Sequence, residues 1–274
     1  MSINNGLLTI AFGKKYTKFA KYLAYSCIIH SPNTLRSVIT DCPNELSQYY
    51  DVVIPFPANF DPFSLKTQLY HYTPFHKTIF IDTDSMIFNS LDSIWEISKN
   101  NSFSYYGILR TEGFWYFNIK DMLIKLDLNW IPEFNSGMFI FDNSEESKSI
   151  FDYAYNSLIN YKDNEISYFR KEMLPDEPFL SISLSKHGIK PVNDNSRFSR
   201  TLIGSKNLNI NVVKGFAYYF KDNKLVFPYI IHFCGHFGKI AYFFQRIKIL
   251  IYLKFSISNI ILNILAFFRN IMYK

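Results

Sequence analysis

The sequence predicts an α/β protein with a mostly parallel central sheet flanked by helices, a Rossmann-like arrangement. Apolar, strand-like runs alternate with helix-like segments through the first half of the chain, which is typical of a parallel sheet that is covered on both faces. Hydrophobic residues make up 48% of the composition and charged residues 19%, which is enough for a full buried core. A length of 274 residues fits one domain with an appendage.

The predicted elements are regular up to residue 82. The segment 16–30 is predicted as a helix because Phe19, Leu23 and Cys27 fall on one stripe. We predict strands over residues 7–12, 35–40, 52–55 and 78–82, and helices over 16–30 and 64–71.

The second half is less regular. The segment 193–211 is polar and long enough to predict a lid or mobile loop. Asn143, followed by Glu146 three residues later, predicts the N-cap of a helix. We predict extended segments over 103–109, 134–141, 189–192 and 229–233, and helices over 91–99, from 143 to about 158, and from 176 to 188.

The net charge of +6 does not predict nucleic-acid binding. Six of the 29 basic residues and none of the 23 acidic residues lie in 239–274, so the first 238 residues carry 23 of each sign and are neutral. Without excess positive charge the globular part has no means of attracting a phosphate backbone. We therefore predict a domain over 1–238 and a basic, apolar C-terminal tail over 239–274.

The tail predicts association with a membrane surface. Its longest uncharged run, 255–268, has 14 residues and includes four Ser and Asn residues, whereas a spanning helix needs about 20 mainly apolar residues. An amphipathic helix whose Lys and Arg residues face an anionic leaflet fits better. The alternative is that the tail packs on the domain or on a second subunit.

The cysteines and the N-terminal residues predict a cytoplasmic location. Cys27, Cys42 and Cys234 have unrelated spacings, which predict neither disulfides nor a zinc site. The first residues lack the basic and apolar stretches of a signal peptide. Together with the tail, this predicts a peripheral protein at the inner face of a membrane.

Asp82 and Asp84 follow the apolar strand 78–82 and predict a metal site. Residues i and i+2 of an extended chain point to the same side, and ligands of open α/β sheets bind beyond the carboxyl ends of the strands. Hard carboxylate oxygens suit Mn²⁺ or Mg²⁺, which also bind diphosphates. The simpler interpretation is that Asp82 caps the turn after its strand.

Several short motifs, in order between residues 7 and 239, resemble those of the GT-A nucleotide-sugar glycosyltransferases, and within them those of family 8. The chain departs from the family's pattern at Gly13, Glu177 and Pro178, and at Gly238, where the family has a lysine. The motifs are the loop 11–16, Lys66 on the helix before the metal strand, Ile-Asp-Thr-Asp at 81–84, Phe-Asn-Ser-Gly at 134–137, Pro-Asp-Glu-Pro-Phe-Leu at 175–180, and His-Phe-Cys-Gly at 232–235.

The resemblance implies a GT-A fold and a set of donor-site residues. It implies that His232 is the third metal ligand beside Asp82 and Asp84, and that Tyr16 stacks on the uracil of a UDP-sugar. The other residues that it places at the donor are Ala11, Lys66, Thr83, Asn135, Ser136, Gly137, Gly235 and, for the diphosphate, Lys239.

Asp176 and Glu177 are the candidate catalytic carboxylates. A carboxylate near the anomeric carbon stabilises oxocarbenium character, and in an inverting reaction one of them would act as the general base. In a retaining reaction no such base is required, and the sequence does not decide between the two. More ordinary interpretations are that Asp176 caps a helix, that residues 135–137 form a bulge, and that His232 is a buried core histidine.

These features predict a metal-dependent glycosyltransferase, in particular a hexosyltransferase, that uses a nucleotide-diphosphate sugar and a glycan or lipid-linked acceptor. The first alternative is a phosphatase of the haloacid dehalogenase type, which also has a strand ending in Asp-x-Asp, although that motif usually lies near the N-terminus. The second is a catalytically degenerate transferase fold that serves as a membrane-bound partner.

Overall fold

The computed structural model describes residues 5–162, 165–168 and 173–272, with residues 256–272 described for their backbone alone. The described residues form fourteen strands and eight α-helices. The strands are β1 (Asn5–Ala11), β2 (Leu35–Thr40), β3 (Val52–Pro55), β4 (Lys77–Ile81), β5 (Ser85–Ile87), β6 (Phe103–Ser104), β7 (Gly107–Arg110), β8 (Ile131–Phe134), β9 (Met138–Asp142), β10 (Arg200–Thr201), β11 (Lys206–Asn211), β12 (Phe216–Lys221), β13 (Lys224–Val226) and β14 (Ile230–His232). The helices are α1 (Gly13–His30), α2 (Pro43–Leu46), α3 (Pro62–Lys66), α4 (Asp92–Ser98), α5 (Ile119–Leu126), α6 (Glu145–Ile159), α7 (Asp176–Lys186) and α8 (Gly235–Met272).

The central sheet has six strands in the order β3-β2-β1-β4-β9-β6. The first four are parallel, and β9 and then β6 continue the sheet in antiparallel fashion. The predicted α/β class and mostly parallel sheet are confirmed. Since the connections between parallel strands cross over on the faces of the sheet, the carboxyl ends of β1, β2, β3 and β4 share one edge.

Both faces of the sheet are buried. Within β4, Phe80 packs on one side with Phe139 and Phe151, together with the core residues of α6 and α7. Its neighbours Ile79 and Ile81 pack on the other side against α1. This period of two explains why Ile79, Phe80 and Ile81 are all apolar, because alternate side chains face different helical layers.

A smaller sheet, β10-β14-β5, brings distant parts of the chain to the edge of the central sheet. β5 and β14 are antiparallel, and Ser85 pairs with His232. The backbone N–H of Phe233 donates to the carbonyl of Asp84 at 2.9 Å. This pairing places the end of β14 directly beside the turn that follows β4.

Two predictions about the segment 189–211 are wrong. Residues 189–192 are not a strand: the N–H of Val192 donates to Tyr105, but the neighbouring Pro191 has no N–H with which to continue a ladder. Residues 193–211 are not a mobile loop, since they contain β10 and β11. The buried Arg200 pairs with Asp194 at 2.8 Å and fixes the start of this segment.

Other boundaries also differ from the predictions. The N-cap of α6 is Ser144, whose side chain accepts from the N–H of Ser147, whereas the predicted cap, Asn143, bonds His76 instead. The segments 103–109 and 134–141 each divide between two sheets, because the chain turns between β6 and β7 and between β8 and β9. The predicted helix 64–71 consists of α3 and one 3₁₀ turn, Leu69–His71.

The predicted tail is part of α8, which begins at Gly235. Ala241, Tyr242 and Ile249 are buried against the small sheets, and the side chain of Gln245 bonds the backbone of β11 and of the residue that follows it. The predicted boundary at residue 239 therefore falls inside a helix that packs on the domain. None of the helices that the structure describes combines the length and the hydrophobicity that a membrane crossing requires.

Candidate metal and donor site

The turn after β4 positions the two aspartates. The N–H of Asp82 donates to the carbonyl of Gly137 at 2.9 Å, and the carbonyl of Asp82 accepts from the N–H of Ser85 at 3.0 Å. The backbone of Asp82 therefore closes the turn, and its side chain is left for other contacts. Thr83, between the two aspartates, is buried.

Asp82, Asp84 and His232 form one cluster. His232 Nε2 lies 3.1 Å from an oxygen of Asp84 and 3.8 Å from an oxygen of Asp82. One ligand atom from each residue lies within 4.8 Å of the other two. Carboxylate oxygens suit Mn²⁺ or Mg²⁺, and imidazole is a ligand of divalent transition metals, so these residues fit a divalent cation.

The charges within this cluster stabilise one another. Burial by itself lowers the pKa of His232, but the Asp84 and Asp82 carboxylates outweigh burial, so the pKa is raised above its ordinary value. Burial by itself raises the pKa of Asp84, but His232 and Lys66 outweigh it and hold the pKa below its usual range. Both carboxylates are half-buried and keep access to solvent.

Lys66 lies between the Asp82, Asp84 and His232 cluster and a second acidic pair, Asp176 and Glu177. Its side chain is buried, and its Nζ lies 2.9 Å from one oxygen of Asp82 and 3.8 Å from Asp176 Oδ2. Nζ also donates to the Ser136 hydroxyl at 3.3 Å. Burial by itself lowers the pKa of Lys66, but Asp176 and Asp82 outweigh it and raise the pKa above its ordinary value. Lys66 is therefore a fixed positive charge inside the site.

The segment Asn135-Ser136-Gly137 connects β8 to β9 and is held by Glu177. One oxygen of Glu177 accepts from Asn135 Nδ2 and from the N–H of Ser136, both at 3.0 Å. The other oxygen accepts from the Tyr116 hydroxyl at 2.8 Å. The segment is a connection between two sheets rather than a bulge in one strand.

Asp176 and Glu177 begin α7 but differ in their surroundings. The N-cap is Pro175, so the interpretation of Asp176 as a cap is wrong. Asp176 is 2% exposed, and its Oδ2 has no hydrogen-bond partner. Burial raises the pKa of Asp176 even though Lys66 lowers it. Burial and the neighbouring Asp176 raise the pKa of Glu177 to about 6.

The remaining predicted residues lie around the first loop and the start of α8. Ala11 is buried at the carboxyl end of β1. Tyr16 is half-buried on α1, with its ring centroid 6.1 Å from that of Phe19. Gly235, at φ +77°, starts α8, and Lys239 is exposed one turn later.

The departure at Gly238 has a steric cause. A Cβ built at Gly238 would lie 2.6 Å from the carbonyl oxygen of Phe233. Because the start of α8 approaches the end of β14 this closely, the position does not admit a lysine. The lysine one residue later, Lys239, lies on the exposed side of the helix.

Two site residues have no signal in the sequence. The Tyr116 hydroxyl donates to Glu177 although 61 residues separate the two in the sequence. Asp41, just after β2, accepts a hydrogen bond from the N–H of Gly13 at 2.9 Å. The loop 11–16 contains no acidic residue, but the carboxylate of Asp41 lies beside it.

Solved structures with a similar fold include glycosyltransferases. The bifunctional glycosyltransferase WbbM superposes with a TM-score of 0.56 at 12% identity over 86% of this chain, which spans 46% of the WbbM chain, about half of its length. The galactosyltransferase LgtC, solved with donor and acceptor sugar analogues, superposes with a TM-score of 0.53 at 16% identity, covering 84% of this chain and 87% of that chain.

Comparison of the sequence with protein-family models and with curated proteins gives no match. The likeness therefore rests on the arrangement of helices and strands, which agrees with the short motifs between residues 7 and 239. The protein has the GT-A glycosyltransferase fold.

Proposed function

We propose that this protein is a metal-dependent glycosyltransferase that transfers a hexose from a nucleotide-diphosphate sugar to a glycan or a lipid-linked acceptor. The observation that carries the proposal is the cluster of Asp82, Asp84 and His232 at the carboxyl edge of the sheet, in a chain with the GT-A fold. A donor-binding edge and a cation site at the same place are what transfer from a nucleotide sugar requires.

Asp82, Asp84 and His232 would hold Mn²⁺ or Mg²⁺. Such a cation would act as a Lewis acid and neutralise the diphosphate leaving group. Lys66 contributes a second positive charge, because it lies between Asp82 and Asp176 and remains protonated. A fixed ammonium in a site with little water stabilises developing negative charge without reorganisation.

Asp176 is the carboxylate that we place beside the sugar. Its Oδ2 is buried without a hydrogen-bond partner and faces Lys66, and an oxygen in that state gains most from a sugar hydroxyl or from positive charge at the anomeric carbon. Glu177 already accepts three hydrogen bonds. Its proposed role is to fix the segment 135–137 against the donor.

UDP is the first candidate nucleotide. The resemblance implies that Tyr16 stacks on the base and that Ala11 lies at the donor, and the exposed Asp41 carboxylate lies beside the same loop. A carboxylate at this position is an acceptor for the N–H groups of a base or the hydroxyls of a ribose. Thr83, Gly235 and Lys239 complete the proposed contacts with the donor.

The test is a panel of nucleotide diphosphates and nucleotide sugars, each with and without Mn²⁺. A ligand that binds only the folded state raises the melting temperature, so we expect a shift with one nucleotide that depends on the metal. The matching nucleotide sugar should then be hydrolysed slowly without any acceptor. If none of the UDP, GDP, ADP, CDP and TDP compounds gives a shift, the degenerate, non-catalytic alternative is favoured.

We also propose that α8 attaches the protein to the cytoplasmic surface of an anionic membrane, where a lipid-linked acceptor would be found. The face of α8 opposite the core is apolar and exposed, with Phe243 and Phe244 50% and 56% exposed and Ile251 51%. Lys239 and Lys254 are exposed on the same helix. Apolar rings with basic neighbours are the composition of helices that lie in the membrane interface.

Deleting α8 would not test this proposal, because Tyr242, Gln245 and Ile249 are buried in the domain. The suitable variant is Phe244→Gln with Ile251→Gln, which leaves the buried face intact. We expect it to lose most of its binding to vesicles that contain phosphatidylserine. Ile124→Gln, on the exposed side of α5, is the control and should bind like the unaltered protein. Equal binding of the two variants would contradict the proposal.

A further inference from the structure

Asn135 lies between the imidazole of His232 and the carboxylate of Glu177. His232 Nδ1 is 2.8 Å from Asn135 Oδ1, and Asn135 Nδ2 is 3.0 Å from Glu177 Oε1. His232 belongs to the cluster proposed to hold the metal, while Glu177 lies in the first turn of α7. The amide of Asn135 thus connects the end of β14 to the start of α7.

The orientation of this amide is fixed from two sides. The backbone N–H of Gly137 points at Asn135 Oδ1 at 3.1 Å, and a backbone N–H is always a donor, so the atom that faces it is the oxygen. The carboxylate of Glu177 accepts, so the atom that faces it is the NH₂ group. Neither contact would survive if the amide were turned over.

The orientation of the amide determines the tautomer of His232. The amide oxygen only accepts hydrogen bonds, so Nδ1 of His232 must carry the proton that it donates. In the neutral ring the lone pair is therefore on Nε2, the nitrogen that faces Asp84 and Asp82. A ligating histidine is held in this way when its other nitrogen donates to a fixed acceptor.

Gly137 makes room for this contact. A Cβ at Gly137 would lie 2.5 Å from His232 Nδ1 and 2.7 Å from Asn135 Oδ1. Any larger residue would push the imidazole and the amide apart. The Asn-Ser-Gly segment thus supplies both the acceptor and the space that the His232–Asn135 hydrogen bond needs.

We infer that Asn135 is a positioning residue for the metal site: it presents Nε2 of His232 to a divalent cation and links that ligand to Glu177. The inference rests on the proposed function only in that it assumes a cation at the Asp82, Asp84 and His232 cluster. It assigns to Asn135 a role toward the metal that is separate from any contact with the sugar.

The experiment measures Mn²⁺ alone, without nucleotide or sugar. Mn²⁺ binding is titrated by electron paramagnetic resonance, and spin-echo modulation from a directly bound nitrogen reports whether His232 ligates the ion. Loss of such an acceptor lowers metal affinity by about 10–100-fold. We expect that loss in Asn135→Ala, together with weakened nitrogen modulation, and a similar loss in Gly137→Ala. Asn44→Ala, at an exposed position of α2, is the matched control.

Asn135→Asp tests the contact with His232 separately from the contact with Glu177. Its carboxylate accepts from His232 and Gly137 but cannot donate to Glu177, so Mn²⁺ affinity and the nitrogen modulation should return to within a few-fold of the unaltered protein. Such a rescue would not follow if Asn135 only supported the local fold. Melting temperatures of all variants show whether each is folded.

The outcomes distinguish this inference from the proposed function. Unaltered protein that fails to bind Mn²⁺ contradicts the metal-dependent function, and the role of Asn135 with it. Unaltered protein that binds Mn²⁺ while a folded Asn135→Ala binds it equally well contradicts the positioning role alone. The positioning role is also contradicted if a folded Asn135→Asp binds Mn²⁺ as weakly as Asn135→Ala does.

Discussion

The site contains two acidic pairs that differ in their partners and in their electrostatic surroundings. Asp82 and Asp84 lie two residues apart after a strand, are half-buried, and share their oxygens with His232 and Lys66. Asp176 and Glu177 are adjacent at the start of a helix, and both have pKa values raised by burial. Asp82, Asp84 and Glu177 are half-buried, whereas Asp176 is buried, so the two pairs differ mainly in their partners and in the burial of Asp176.

The difference shows that carboxylates that lie close together in one site can have different functions. One ligand atom from each of Asp82, Asp84 and His232 lies within 4.8 Å of the other two, close enough for one divalent cation to bind all three on the proposed function. In the helix pair, Glu177 accepts three hydrogen bonds, while Asp176 Oδ2 accepts none, although Lys66 Nζ lies 3.8 Å from it. We therefore expect substitutions in the two pairs to fail in different ways.

The largest effect is expected for Asp84→Asn. It removes a ligand charge from the strand pair, and the Lewis-acid contribution of several kcal/mol corresponds to a loss of at least ~1,000-fold in transfer. The fold should survive, so Mn²⁺ titration and a melting curve must accompany the activity assay. Asp222→Asn, an exposed change in the turn between β12 and β13, should behave like the unaltered protein. Activity near that of the unaltered protein in Asp84→Asn would remove the distinction between the pairs.

An intermediate effect is expected for Asp176→Asn. A hydrogen bond to a charged group is worth about 1.5–3 kcal/mol, so kcat/KM for the donor should fall by roughly 10–100-fold. Mn²⁺ affinity measured without nucleotide should change little, because Asp176 is not one of the clustered ligands. If metal binding falls as far as activity does, the two pairs act as one unit and the comparison is wrong.

The smallest effect on activity is expected for Glu177→Gln, which keeps acceptors for Asn135 and Ser136 and should stay within about tenfold of the unaltered protein. Its stability should depend on pH instead. The pKa of Glu177 is raised to about 6, so the native state binds a proton more tightly than the unfolded state, and its stabilising contribution is lost as pH rises through 6.

The expected difference in stability between the two proteins follows from that shift. Above pH 7 the glutamine variant should be more stable by up to about 2 kcal/mol, and the advantage should disappear below about pH 4. Chemical denaturation of both proteins at several pH values measures the difference directly. A difference that does not change with pH would show that Glu177 is not held in an unfavourable charged state.

The sequence predicts the first half of the fold well for a physical reason. The strands β1, β2 and β4 have apolar centres, Leu7-Leu8, Val38-Ile39 and Ile79-Phe80-Ile81, because both faces of the sheet are covered, and α1 has a clear apolar stripe. Turn residues such as Pro32 and Asn33 mark the ends of these elements. Local composition and periodicity are sufficient to predict a strand or helix that is buried against elements close to it in the sequence.

The second half depends on pairings between distant residues. β10 has two residues and exists because Thr201 lies beside His232, and β5 has three residues that pair with β14. No window of sequence contains such information. The polar segment around β11 has the composition of a loop. Its outward side chains include Asn207 and Asn209, and Ile210 is the one residue of the strand that is buried, so the sequence shows no apolar pattern there.

The site follows the same division. Asp82 and Asp84 are visible in the sequence because both follow one apolar strand. The resemblance implies His232 as a third ligand and Lys66 as a donor-site residue, and in the structure both lie within 4 Å of Asp82. The contacts of Tyr116 and Asp41 are tertiary and could not be predicted. The unequal surroundings of Asp176 and Glu177 also depend on burial, which adjacent positions in a sequence do not reveal.

The antiparallel ladder between β5 and β14 has a consequence for when the site can exist. Only three residue pairs set its register, and a slip of one residue would turn His232 to the opposite face. His232 also comes 148 positions after Asp84. The cluster of Asp82, Asp84 and His232 therefore cannot form until β14 has been synthesised, and on the proposed function a product truncated before His232 would lack one of the three proposed metal ligands.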